Sequence, residues 1–153
     1  MPSAKCGFID IPGGAPASEL LVSIGPTLLV DIGFDPNYKP PPDLNVPVPG
    51  IKSIHALVDT GATESCIDSM LATQLALPIV DKRVASGVSG PQEVNIHLAQ
   101  VHIPSLPFTI YGTFAGVHLA AGGQPHKALI GRTFLARFVM VYNGPTGDVT
   151  ISS

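Results

Sequence analysis

Sixteen prolines and sixteen glycines are spread along the whole of this chain, with short stretches rich in Val, Ile and Thr between them. Proline fixes φ and has no amide hydrogen to donate, and glycine opens turns that other residues resist. A chain punctuated in this way suits many short strands joined by tight turns better than a helical bundle, so the expectation is an all-β fold with one or two short helices. At 153 residues it makes one domain, long enough to bury most of its apolar surface in a single core without disulfide or metal staples.

The charge pattern narrows the partners. Charged residues make up 12% of the chain, the net charge is -3, and Lys and Arg are scattered, which leaves no footprint for nucleic acid or an anionic membrane. The apolar runs are short of a membrane span, and the N-terminus lacks the basic segment, apolar stretch and cleavage site of a secretory signal, so a cytoplasmic chain is expected. Cys6 and Cys66 read as reduced, partly buried thiols rather than a disulfide. His55, His97, His102, His118 and His126 show no metal-ligand spacing, and no glycine cluster forms a nucleotide-binding loop. No metal and no cofactor are expected.

Along the chain, residues 1–18 read as an N-terminal arm or edge strand, and residues 19–153 as the domain proper. "ELLVSIGPTLLVDIGFD" (19–35) reads as two β-rich runs around the Gly25-Pro26 break. "PNYKPPPDLNVPVPG" (36–50) holds six prolines and is expected to be an extended loop inserted between strands. "IKSIHALVD" (51–59) is a strand that delivers Asp59 at its end. In "IDSMLATQLALP" the helical spacing of Ile67, Met70, Leu71 and Leu75 predicts a short helix over 67–77. Residues 82–103 read as a hairpin with its tip at Gly87 to Gly90, 108–119 as a strand, 128–138 as a strand passing through Gly131 into a short helix, and the C-terminus as two strands around a turn at 143–147.

The chemistry, if any, lies in "ALVDTGATESCID" (56–68). Asp and Gly are favoured turn residues, and on Asp59, Thr60 and Gly61 alone a strand-capping turn is the simpler reading. Cys66 lies at the start of an apolar segment without a nucleophile's signature and reads as packing.

The wider context resembles the retroviral-type aspartic proteases, the retropepsins. In that family a strand ending in Asp-Thr-Gly-Ala is followed by a flap hairpin and then by an apolar-apolar-Gly-Arg segment with a short helix, as in "ALIGRTFL" here. The resemblance spans about residues 27–151, and the Thr at 63 brings the chain nearer to cellular, transposon-type or bacterial members than to lentiviral ones. It implies an acid-protease half-barrel completed by homodimerisation, and an endopeptidase that acts on a peptide or protein substrate. Asp59 would be catalytic, and because the chain carries one Asp-Thr-Gly the second carboxylate would be the Asp59 of another copy. The resemblance further implies an active-site loop of Thr60, Gly61, Ala62 and Thr63, and a flap of Gly87, Val88, Ser89 and Gly90. Gly131 and Arg132 would brace the site, with Glu64 or Asp68 as partner of Arg132. Leu57, Ile79, Val88, Val117 and Ile130 are candidate pocket liners, though core packing suits most of them as well.

Two other readings compete. A dimeric peptide-binding scaffold could keep the fold without turnover. A small β-barrel ligand binder, in which Asp59 merely caps its strand, would be a monomer.

Overall fold

The computed structural model describes residues 2–41, 45–87 and 90–153. The chain opens with β1 (Ser3–Lys5), α1 (Ala17–Ser23) and β2 (Thr27–Gly33). After the proline-rich segment come β3 (Ile51–Val58), β4 (Cys66–Asp68) and α2 (Ser69–Gln74). The long strands β5 (Ile79–Gly87), β6 (Gly90–Ile103) and β7 (Phe108–Val117) follow. β8 (Ala128–Ile130), α3 (Arg132–Leu135), β9 (Val139–Asn143) and β10 (Asp148–Ser152) complete the chain. The fold is thus mainly β with few short helices, and it forms the β-barrel-like half expected from the sequence.

Seven strands form one sheet in the order β2-β3-β8-β4-β7-β6-β5, and a further β2–β6 pairing bends it round until six of them close a ring. β6 makes the closure by using one edge twice. Its first part, to His97, pairs with β5, while Gln100, Val101 and His102 pair with Gly33, Ile32 and Asp31 of β2. β7 lies along the other edge from Ile96 to Ile103. A closed ring leaves few bare backbone groups at its seams. β5 stays outside the ring as the free arm of the β5–β6 hairpin. β1, β10 and β9 make a separate antiparallel sheet, in which Ser3, Ala4 and Lys5 pair with Ser152, Ile151 and Thr150.

Strand alternation fills the barrel. Leu28, Val30 and Ile32 of β2 and Ile54, Ala56 and Val58 of β3 point inward, while Leu29 between them is half exposed. Ile67, Val101, Ile103, Ile130, Val149 and Ile151 are fully buried beside them. Phe108, Phe134 and Phe138 pack as an aromatic trio with centroids 4.6–5.6 Å apart, which seats α3 on the barrel.

Two segments differ from the sequence reading. Residues 17–23 form a helix and not a strand: Ala17 and Leu21, one turn apart, are buried, Val22 faces solvent, and Asp10 Oδ1 accepts the Ala17 amide at 2.7 Å. The helix expected over 67–77 spans only Ser69–Gln74, because Cys66 and Ile67 are taken into the sheet between β7 and β8. Asp68 caps that shorter helix through the Leu71 amide and also accepts the amides of Leu119 and Ala120, so this buried carboxylate ties α2 to the loop after β7. At the N-terminus, β1 takes the edge-strand form, and Cys6 behind it is buried. Both cysteines are free thiols. Among the described residues, no helix is long and apolar enough to cross a membrane.

His126, just before β8, is 2% exposed. Its Nε2 lies 2.8 Å from Thr27 Oγ1, whose own hydrogen goes to the Gly25 carbonyl. Nε2 therefore carries the proton, and Nδ1 is left with no partner. Burial first, and the nearby His55 second, push the His126 pKa below its ordinary 6.5. The folded chain then binds fewer protons than the unfolded chain as pH falls below that value, so stability drops through that window and is complete above it. The urea midpoint should decline between pH 7 and pH 5, and His126→Gln should flatten that decline; an unchanged slope in the variant would contradict this assignment.

Candidate active site

The site is built where a parallel ladder stops. Ala56, Leu57 and Val58 of β3 run alongside Ala128, Leu129 and Ile130 of β8, and the Asp59 amide then donates to the Ile130 carbonyl at 2.8 Å. Beyond that bond the chain turns. Asp59 Oδ1 accepts the Gly61 amide at 2.9 Å, and the Ala62 amide donates to the Asp59 carbonyl at 3.2 Å. Asp59 thus does the local work of a turn residue with one oxygen only. The side chain is half-buried, and among the described residues no donor reaches its other oxygen. A Cβ on Gly61 would stand 3.1 Å from Asp59 Oδ1, tight enough to press on the carboxylate.

The loop is held from behind by the start of α3. A short helix leaves its first amides without internal partners. Here the Arg132 amide donates to the Ala62 carbonyl at 2.8 Å, the Thr133 amide to the Thr63 carbonyl at 3.0 Å, and the Gly131 amide to Ser65 Oγ at 3.0 Å. The guanidinium of Arg132 adds two bonds, to the Thr60 carbonyl at 2.8 Å and to Thr63 Oγ1 at 3.0 Å. Each residue from Thr60 to Ser65 except Gly61 and Glu64 is therefore tied to the Gly131–Thr133 segment.

These contacts correct the expected partner of Arg132. Neither Glu64 nor Asp68 serves: Glu64 Oε2 pairs with Arg83 of β5 at 3.2 Å, and Asp68 caps α2. A backbone carbonyl and the Thr63 hydroxyl stand in the place of the acid, which a threonine can do because a guanidinium needs only oxygen acceptors in its plane. Ser65, which the sequence reading did not single out, is the buried acceptor that receives Gly131.

Of the flap residues, Gly87 and Gly90 pair across the end of the β5–β6 hairpin, while Val88 and Ser89 lie outside the described residues. The Glu64–Arg83 ion pair links the loop to the hairpin's outer strand, but both side chains are half exposed or more, so it is worth about 0–1 kcal/mol. Among the candidate pocket liners, Ile130 is a core residue, Leu57 and Val117 are half-buried, and Ile79 is exposed. Cys66 is half-buried beside the loop; burial, then Glu64 and Asp59, push its thiol pKa up, which suits packing and not nucleophilic attack. No group of three or more His, Cys, Asp or Glu able to hold a metal ion exists among the described residues.

A lone Asp-Thr-Gly turn at the end of an inner strand, with a Gly-Arg helix braced against its back, is the arrangement that the resemblance to aspartic proteases led one to expect. Residues 44–137 match the family described as "gag-polyprotein putative aspartyl protease", and the chain belongs to that family. Among solved structures it matches EIAV protease in complex with an inhibitor, at 19% identity over 73% of this chain and 86% of that one, with a TM-score of 0.42. No curated protein matches the sequence.

Gly131 has φ -92°, a conformation open to any residue, so the need for glycine there comes from space. A Cβ would meet the Glu64 carbonyl oxygen at 2.6 Å and its carbon at 2.7 Å, both backbone. Gly131→Ala should lower unfolding free energy by about 1–3 kcal/mol in urea titration. Gly112→Ala in β7, with nothing within 4 Å of the added carbon, should leave it unchanged within about 0.5 kcal/mol. Equal effects at the two positions would contradict the close-approach argument.

Proposed function

We propose that the chain is an aspartic endopeptidase that hydrolyses peptide bonds as a homodimer, with the water activated between the Asp59 side chains of two copies. The observation that carries this reading is Asp59 itself: a half-buried carboxylate with one oxygen fixed by the Gly61 amide and the other, among the described residues, unclaimed, on a loop braced from behind.

One carboxylate cannot perform the whole reaction. Adding water to an amide carbonyl needs a base for the water proton and an acid for the carbonyl oxygen. Two carboxyl groups a few ångströms apart cannot both ionise easily, so such a pair shares one proton, as the aspartic-protease dyad exemplifies. In this mechanism the ionised Asp59 takes a proton from water as the new C–O bond forms, and the protonated Asp59 of the second copy gives its proton to the carbonyl oxygen. The tetrahedral diol then collapses: the first Asp59 passes the proton it took from water to the amide nitrogen, the Asp59 of the second copy takes back a proton from a diol hydroxyl, the C–N bond breaks, and a carboxylic acid and an amine leave with the pair restored. No metal or organic cofactor is needed for any of these steps.

The neighbouring residues take supporting roles. The Thr60 hydroxyl would reach across the dimer, since its carbonyl is already bound to Arg132. The Gly61 carbonyl would accept a substrate amide, and Ala62 and Thr63 would line the cleft with little bulk. The hairpin end at Gly87, Val88, Ser89 and Gly90 would close over an extended peptide, exclude water and add backbone hydrogen bonds. Gly131 and Arg132 would keep the Asp59 loop from yielding when the second copy docks.

Purified wild type and Asp59→Asn, compared on a denatured protein or peptide library at mildly acidic pH, test the reading when association state is measured in parallel. Asn keeps the turn acceptor but neither gives nor takes the proton, so turnover should fall on the order of a hundred- to ten-thousand-fold with the dimer intact. Equal activity in both proteins would remove Asp59 from catalysis. A dimer without turnover would favour a peptide-binding scaffold.

A further inference from the structure

The proline-rich segment after β2 folds back on the barrel and is pinned at its base. Gln100, 1% exposed in β6, accepts the Asp35 amide at 2.6 Å and donates to the Asp35 carbonyl at 3.1 Å. The Asp35 carboxylate then accepts the amides of Asn37 and Val48, each at 2.9 Å, which draws the two ends of the segment together. Tyr38, 8% exposed, packs edge-on against Tyr111 of β7 with centroids 5.5 Å apart. A buried amide, a carboxylate holding two amides and an aromatic anchor hold the described part of the segment, Asp35 to Tyr38 and Val48, against the barrel.

Between that segment and the barrel lies a cavity of about 620 Å³. Tyr38, Pro40, Pro41 and Val46 form its outer side, and Phe108, Ile110 and Tyr111 of β7 its floor. Phe134 closes one end, and Asp59 is not among its walls. Its size falls in the range of sites for small molecules, and its lining is the usual one of apolar and aromatic faces with a few polar groups. Its polar side chains include Asn45, Thr133 and His102, whose Nδ1 meets Thr109 Oγ1 at 2.9 Å, and among the described residues the full charge in its lining is the guanidinium of Arg137. Among the described residues, no acidic side chain lines the cavity and Arg137 has no carboxylate partner.

We propose that this cavity is a binding site for a small aromatic or apolar molecule carrying one anionic group, with the ring system against Tyr38, Tyr111 and Phe134 and the anion on Arg137. Aromatic walls supply the affinity, and the guanidinium of Arg137 selects a carboxylate or sulfonate over a neutral analogue. The occupant would lie against α3, whose first amides hold the Ala62 and Thr63 carbonyls, so the site has a short mechanical route to the Asp59 loop. The proposal does not depend on the reading of Asp59.

Two probes of nearly the same shape test it: anilinonaphthalene sulfonate, which is anionic, and N-phenylnaphthylamine, which is neutral. Each is titrated by fluorescence and by amide NMR shifts into full-length Asp59→Asn, so that proteolysis neither contributes nor interferes, and into the same chain with Arg137→Gln. The sulfonate should bind saturably, move the amides of Tyr38, Thr109, Tyr111 and Thr133, and lose about tenfold in affinity with Arg137→Gln, while the neutral probe keeps its affinity. Arg137 is exposed, so its replacement should leave the fold intact, which the NMR spectrum checks directly. No saturable shift at those residues, or an Arg137→Gln effect equal for both probes, would overturn the proposal.

Discussion

The interaction on which the rest depends is the approach of one backbone to another at Gly131. β8 sits between β3 and β4, parallel to the first and antiparallel to the second, so three residues of chain touch both flanks of the Asp59 loop. At the end of β8 the chain must turn into α3 directly behind that loop, and only a residue without a side chain fits against the Glu64 carbonyl. Once it does, the helix's unpaired amides and the Arg132 guanidinium meet the carbonyls of Thr60, Ala62 and Thr63 with no further adjustment. The turn is thereby tied by backbone and guanidinium bonds to the segment that ends β8.

That bracing suits the proposed use of Asp59. A carboxylate waiting for an identical partner must hold its position before the partner arrives, because each ångström of adjustment on docking would be taken from the binding free energy. The bracing is internal to the chain, whereas the acid–base pair of the proposed reaction is not. Stiffness and chemistry are therefore divided: each copy supplies its own scaffold, and the proposed reaction needs two copies. The β5–β6 hairpin is held differently, since β5 is outside the closed ring and its ion pair to Glu64 is solvent-screened.

Much of the fold was legible in the sequence because its signals are local. The strand ending at Asp59, the hairpin closing at Gly87 and Gly90, and the C-terminal turn around Asn143 to Gly147 all follow from alternation and turn residues. The first helix was not, because "ELLVSI" is a short apolar run that fits either period, and what decides it is Leu21 packing inward one turn from Ala17. Met70 misled in the same way: it fits a helical stripe yet is 59% exposed, since the preceding Ile67 belongs to the sheet. The acceptors of Arg132 escaped because charge patterns point to acids and are silent about carbonyls. The cavity under the proline-rich segment was out of reach for a related reason, since its walls lie far apart in the chain and meet through Gln100 with Asp35 and through Tyr38 with Tyr111.

The most direct test of the central claim is a subunit-mixing titration. Wild type and Asp59→Asn are combined at constant total concentration under conditions where copies exchange, and peptide cleavage is followed against the fraction of wild type. If each site needs two Asp59 carboxylates, activity follows the square of that fraction, leaving about a quarter at an equal mixture. A straight line, with about half remaining, would mean that one chain's carboxylate suffices and would contradict the account.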